Sequence, residues 1–296
     1  MELKEAETVA QPKRRSHRVL LASFLTPGLI WLAAFIAVPY MILFLYSIWK
    51  TNYVEIIKSP TFDNVHRLVT DQVVRTVALR SALIALIVTV AAFAMTFPLA
   101  YLAAFHIKRK KVFVFAVILP MWVSYIVRAY AWRIILGQDG ILNGMLQALH
   151  LTDHPISAFL FSPLAVIITL THVYMAFMFV PMYSVLEGLP KSYFRAASDL
   201  YANPFRRFMR VTLPLAAPGI AAGVMFVFPL AFGDYIAPSL VGGTNSTMIA
   251  NLVQSEFGVT FNWPFGAAIV LGLLTVVLLV IGMMERWRGI EDVKLV

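Results

Sequence analysis

Ionisable side chains set inside long apolar runs are the first candidates for chemistry, because burying them in hydrocarbon carries a cost that only a partner or a polar path offsets. This chain has few of them. Arg128 and Arg133 stand in LPMWVSYIVRAYAWRII, among Trp122, Tyr125, Tyr130 and Trp132; His172 lies in THVYMAF; Asp234 sits in FGDYIAPSLVGG, beside Tyr235. A carboxylate with aromatic faces near it suits ammonium groups, which pair with the one and lie over the other. An arginine in the same place repels a purely cationic solute and suits one that also carries a carboxylate. Tyr125, Arg128, Trp132, Asp234 and Tyr235 are therefore the candidate pathway residues. Plainer roles stand beside that reading. Arg133, near a helix end, is expected to snorkel to the outer interface, with the aromatics as its belt. Arg128 lies roughly 12 Å from that end at 1.5 Å per residue, and either lines a polar path or snorkels too. Asp234 either lines the outer mouth of a path or caps local backbone donors. His172 reads as a packing residue rather than a ligand.

Other chemistry is excluded. The chain has no phosphate-binding GxxxxGK[ST], no HExxH and no GxSxG. It contains no cysteine, so neither a disulfide framework nor a thiolate metal site is possible. No metal or other cofactor is called for, and without a nucleotide site the chain cannot hydrolyse ATP itself.

A second stretch stands out as a surface rather than a site. Residues 188–214, GLPKSYFRAASDLYANPFRRFMRVTLP, set five cations (Lys191, Arg195, Arg206, Arg207, Arg210) against one acid, Asp199, between two apolar runs. Ser192 is a candidate N-cap, and Tyr193, Ala196, Ala197, Leu200 and Tyr201 recur close to helical spacing. Pro204 biases Asn203 out of the helical region, so Asn203 can cap a second short helix with Pro204 at its first position. That helix is expected to carry Phe205, Phe208 and Met209 on one side and Arg206, Arg207 and Arg210 towards the other. By itself such a pair either lies at a lipid interface or docks another protein.

The elements that hold these residues follow from composition. The chain has 296 residues, is 60% hydrophobic and 13% charged, and has a mean hydropathy of +0.80. Several apolar runs reach the ~20 residues needed to cross a hydrocarbon core, and backbone in lipid must pair internally, so these runs are helices. The spans are expected at about 19–48, 81–105, 112–136, 163–186, 215–234 and 263–284, with a small external helix within 50–80. The first run is too long for a signal-peptide core and has no small-residue cleavage site after it, so it is expected to stay as an anchor. The net charge of +9 would suit nucleic acid, but its distribution does not. Five cations fall in residues 1–18, four in 108–111, five in 188–214 and three in 285–296, whereas 137–162 and 235–262 hold none. The positive-inside rule then gives an all-α integral membrane protein of six transmembrane helices with both termini cytoplasmic. Residues 1–18 form a cytoplasmic tail, 19–284 the membrane domain with a cytoplasmic loop between helices 4 and 5, and 285–296 a second tail.

The run from Arg195 to Pro214 resembles the cytoplasmic "EAA" loop of permease subunits in binding-protein-dependent ABC importers: Ala196, Ala197, Ala202, Phe208, Val211, Leu213 and Pro214 match at the family's spacing. Two positions depart from it. Arg195 stands where the family has Glu, so the capping box with Ser192 is lost and a cation sits near a helix N-terminus. Tyr201 stands where the family has Gly, so the corner must be made differently, with Asn203-Pro204 the candidate. LPMWVSYIVRAYAW, GQDGILN, GDYIAPSLVGG and NWPFGAA look like parts of the spermidine/putrescine branch, and the resemblance runs from about Pro60 to Arg286.

What the resemblance implies is a type I importer half in a bacterial cytoplasmic (inner) membrane. It implies a second permease, usually a different chain, two ATP-binding cassette ATPases and an extracytoplasmic substrate-binding protein. It also implies that Tyr193, Arg195, Ala196, Ala197, Asp199, Tyr201, Ala202, Asn203 and Pro204 form the ATPase-coupling surface. The expected solute is a polyamine, with another small amine, an opine or an amino-acid-derived solute as the alternative. A secondary transporter is the competing class, but it calls for coupling acids near the midplane, and Glu187 and Asp234 both sit at span ends. An integral-membrane enzyme lacks its catalytic cluster.

Overall fold

Apolar runs of this length leave backbone N–H and C=O groups no partner but each other, and the computed structural model is a bundle of long helices. It describes residues 14–52, 55–190, 192–193 and 203–294, with backbone alone at 14–22, 204 and 287–294. Five helices are long and apolar enough to cross a membrane, and there are six crossings if one sharply bent pair counts as a span.

The first helix, α1 (Arg14–Ser47), contains Pro27 and Pro39 and runs along the last helix with its apolar side chains largely exposed. The polar stretch after it holds an antiparallel hairpin, Lys50–Asn52 with Glu55–Ile57, and the short helix α2 (Asp63–Thr70). This hairpin is the only sheet among the described residues. The second span, α3 (Gln72–Phe105), begins well ahead of residue 81 because Asp71 caps it: the carboxylate accepts Val73 N–H at 2.8 Å and Val74 N–H at 3.4 Å. Its inward face is small, with Ala85, Ala92, Ala100 and Ala103 fully buried. The hydroxyls of Ser81, Thr89 and Thr96 on that helix are satisfied by carbonyls four residues earlier, at 2.6–2.8 Å.

The third apolar run is not the straight span expected over 112–136. Helix α4 (Lys110–Ile118) tightens into a 3-10 turn at Leu119–Trp122, and α5 (Tyr125–Ile135) leaves it at 91°. Pro120 lacks an N–H to continue the helix, and Val123 and Ser124 are extended, so the chain turns there. The short helix α6 (Ile141–Ala148) follows, then the fourth span, α7 (Pro163–Gly188), capped by the Ser162 hydroxyl, which accepts Ala165 N–H at 3.2 Å.

The sequence pattern called for a separate short helix after Asn203, and here the structure differs. Asn203 does cap, its side chain accepting Arg206 N–H at 2.7 Å, and helix starts at Pro204. It does not stop. Pro204–Arg207 runs through a π turn, Phe208–Thr212, into Leu213–Phe232, so 204–232 is one helical stretch, α8. Pro214 removes a donor from the regular ladder just after the π turn, a local cause for the widened turn. Phe208 meets Phe97 edge-on at 5.5 Å, whereas Phe205 and Met209 are exposed, so they do not share one buried face. Inside α8, Gly219 and Gly223 let its backbone close on α7: a Cβ at Gly219 would stand 2.9 Å from Pro181 O and 3.0 Å from Met182 Cα. Small residues four apart are the usual means of close helix approach in lipid. Two short helices, α9 (Ile236–Val241) and α10 (Ile249–Gly258), precede the last helix, α11 (Trp263–Lys294), whose apolar part ends at Arg286.

Candidate functional site

The polar candidates converge where α5, α7 and the junction of α8 with α9 meet. Helix α8 ends at Phe232, where Gly233 N–H still donates to Pro229 O at 3.0 Å, and the next residue is delivered to the start of α9. That residue is Asp234, buried with 6% exposure. Its Oδ1 accepts the Ala237 N–H at 2.9 Å, satisfying a backbone donor in the first turn of α9. Its Oδ2 accepts two phenol hydroxyls, Tyr125 Oη at 2.5 Å and Tyr174 Oη at 2.7 Å. The two rings lie nearly parallel, 13° apart with centroids 6.3 Å apart. One carboxylate thus ties three helices together. An ionised carboxylate offers about four acceptor directions, and three are filled by these donors.

Residues 125, 128 and 132 share one face of α5 at helical spacing, and that face lies on residues 172–174 of α7. Arg128 Nη1 donates to Val173 O at 3.0 Å, and its Nε is buried without a partner. Trp132 meets the His172 ring edge-on at 5.6 Å, and His172 Nδ1 is likewise buried and unpaired. Arg128 and Asp234 do not pair: among the described residues, the ion pairs are Lys50–Asp63, Arg67–Asp71 and Lys110–Glu187. Phenol donors, not a guanidinium, hold the Asp234 carboxylate.

The other candidates fall outside this cluster. Tyr235 is exposed and contributes its backbone carbonyl, which accepts Asn251 Nδ2 at 2.9 Å and Ser239 Oγ at 2.7 Å. The Arg133 guanidinium lies 5.8 Å from the centre of the Phe161 ring. Of the two readings for Asp234, the capping of backbone donors is present, and the carboxylate also gathers side chains from two other helices. Tyr174 is the residue that reading the sequence missed. A tyrosine in an apolar helix looks like a packing or interface residue, and only its place near the level of Arg128 and Asp234 could have singled it out.

The loop residues are seen only in part. Arg195, Ala196, Ala197, Asp199, Tyr201 and Ala202 lie outside the described residues. Tyr193 is exposed, with its N–H on Pro190 O at 3.3 Å, and Asn203 and Pro204 start α8. At the end of α7, just before this loop, Glu187 receives Lys110 Nζ at 2.9 and 3.0 Å.

A bundle of membrane-length helices, outwardly apolar and with a polar knot buried inside it, is that of a multi-pass membrane protein. The chain belongs to the family of binding-protein-dependent transport system inner membrane components, which matches residues 96–286. It is 38% identical over 196 residues to the spermidine/putrescine transport system permease protein PotB of Haemophilus influenzae, covering 66% of this chain and 68% of that one. It is 35% identical over 255 residues to the protein of that name from Escherichia coli, covering 83% and 92%. A bacterial alginate ABC transporter crystallised with its alginate-bound periplasmic protein shares the fold, with a TM-score of 0.72 over 93% of this chain at 16% identity. Membership makes this chain a transport subunit rather than an enzyme.

Proposed function

We propose that the protein is one permease half of an ATP-driven importer for polyamines such as spermidine and putrescine. The observation that carries the choice of solute is the state of Asp234. Its carboxylate is buried among phenol rings and is in no ion pair among the described residues, while Arg128 is held by a backbone carbonyl. A buried charge lacking an opposite charge is what an entering ammonium group can complement, with aromatic faces beside it. The PotB relatives bear the name of the same solutes. The amino-acid-derived alternative has one observation in its favour, the unpaired Nε of Arg128, which a solute carboxylate could accept from.

In this reading the bent pair counts as the third of six spans, both termini are cytoplasmic, and 188–214 faces the cytoplasm. A second permease completes the path, an extracytoplasmic binding protein delivers the solute, and two ATPases grip the loop around Ala197. The family's inner-membrane description and the dense cations of 1–18, 108–111, 188–214 and 285–296 support that orientation. Uptake by the complete importer tests the solute. Asp234→Asn is expected to impair polyamine uptake more than Arg128→Gln, and the reverse order would favour the carboxylate-bearing solute.

A further inference from the structure

Four consecutive cations, Lys108, Arg109, Lys110 and Lys111, stand between the end of α3 and the start of α4. They are crowded at the positive end of a helix, where the dipole disfavours them, and the residue before that helix, Arg109, offers its backbone donors no side-chain cap. Among the described residues Glu187 answers them, and it is engaged by Lys110. Lys108, Arg109 and Lys111 are exposed, and none of them is in an ion pair among the described residues. With Tyr183 and Glu187 these cations line an open cleft of about 520 Å³. Its remaining wall is Val112, and the exposed apolar surface continues along α4 to Phe115; the two side chains are 65% and 50% exposed.

A ligand for this place must be anionic and must offer oxygen acceptors to three cations and an uncapped helix end. It must also continue into an apolar part that runs along Val112 and Phe115 towards the bundle's membrane-facing surface. Free phosphate or an acidic protein segment meets the first two demands and leaves the third unmet. A phospholipid with a net negative headgroup meets all three. We propose that this cleft is a binding site for the headgroup phosphate of an anionic phospholipid. Basic pockets between spanning helices, beside the leaflet that carries anionic lipid, bind headgroups in this manner. The site also adjoins the loop that precedes α8. With the headgroup neutralising Lys108, Arg109 and Lys111, Lys110 stays with Glu187 and fastens the last turn of α7 to the first turn of α4.

The test uses the whole importer, purified in mild detergent, with native mass spectrometry to count retained lipid as phosphatidylglycerol or phosphatidylcholine is titrated in. The wild-type complex is expected to hold phosphatidylglycerol in clear preference to phosphatidylcholine. The variant K108Q/R109Q/K111Q is expected to bind it on the order of a hundredfold more weakly, roughly fivefold for each cation removed. The charge-keeping variant K108R/K111R should bind as the wild type does, which separates loss of charge from misfolding. Equal retention of the two lipids by the wild type would overturn the proposal, as would equal phosphatidylglycerol retention by wild type and triple variant. Displacement of the lipid by inorganic phosphate at equal concentration would reassign the site to a soluble anion. Loss of the ATPase subunits from the triple variant with lipid retention unchanged would reassign it to a protein partner. None of these outcomes depends on which solute is carried.

Discussion

Removing the Tyr174 hydroxyl isolates one strut of the three-helix knot. Tyr174→Phe keeps a buried ring and deletes the 2.7 Å bond to Asp234 Oδ2. A hydrogen bond to a charged acceptor contributes about 1.5–3 kcal/mol, and the carboxylate keeps Tyr125 and the Ala237 N–H, so the change should cost about 2 kcal/mol. Against Asp234→Asn the same hydroxyl faces a neutral amide, and its loss should cost about 1 kcal/mol or less. The double-mutant cycle therefore predicts a coupling of about 1–2 kcal/mol between Tyr174 and Asp234. Tyr125→Phe should behave alike. The variant lacking both hydroxyls should lose more than the sum, because the carboxylate would be left buried with one backbone donor. The assay is the unfolding midpoint of the assembled complex in mixed micelles, for the four corners of each cycle. Losses that add to within about 0.5 kcal/mol, in either cycle, would refute the knot as the link between these helices.

Three further outcomes are expected. Asp71 is held below the ordinary carboxylate range chiefly by the Val73 N–H, then by Val74 and Arg67. Because its folded value is depressed, its cap on α3 is fully effective above the ordinary aspartate value and is lost as pH falls through the depressed one. Acid titration of stability should show that loss in the wild type and not in Asp71→Asn, which caps without titrating. Reporter fusions at Asp153 and Asn245 should read outside the cytoplasm and one at Arg207 inside, and an outside signal at Arg207 would invert the proposed topology. Ala197→Glu should abolish stimulated ATP hydrolysis in a complex that still assembles, because a charge would be buried without a partner at the docking surface; unchanged hydrolysis would count against that surface.

The long helices were legible because lipid leaves the backbone one solution, and hydropathy reports length directly. The places where sequence and structure part are those where hydropathy is blind. Arg75 and Arg80 lowered the apolar signal of α3, while the feature that sets its start, the Asp71 cap, is a local hydrogen bond. Nothing in the apolar content of 110–135 reports the 91° turn, which depends on Pro120 and two extended residues. The π turn at Phe208–Thr212 was hidden for a related reason: Asn203-Pro204 is a sound start signal, but hydropathy does not report that the helix runs on through Pro214. Tyr125, Arg128, Trp132 and Asp234 were legible as polar residues at one depth. Their pairing was not, because charge alone matches Arg128 to Asp234 and takes no account of a neutral donor on another helix.

That substitution of phenols for a guanidinium bears on how such a site can work. Breaking a buried ion pair costs about 3–5 kcal/mol, since one charge is left uncompensated. A permease must pass between arrangements that differ by only a few kcal/mol, or one of them is never populated. A carboxylate held by an arginine would fasten α5 and α7 to the α8–α9 junction too firmly for a small solute to release. In the proposed reading, Asp234 is satisfied at rest by two hydroxyls and a backbone N–H, and an entering solute ammonium would exchange for each strut separately at a cost of about 1.5–3 kcal/mol, repaid by the new ion pair. Arg128, turned to the Val173 carbonyl, leaves that exchange open. If polyamines are the solute, as proposed, the arrangement that defeats the simplest charge pairing is the one that suits such a passenger.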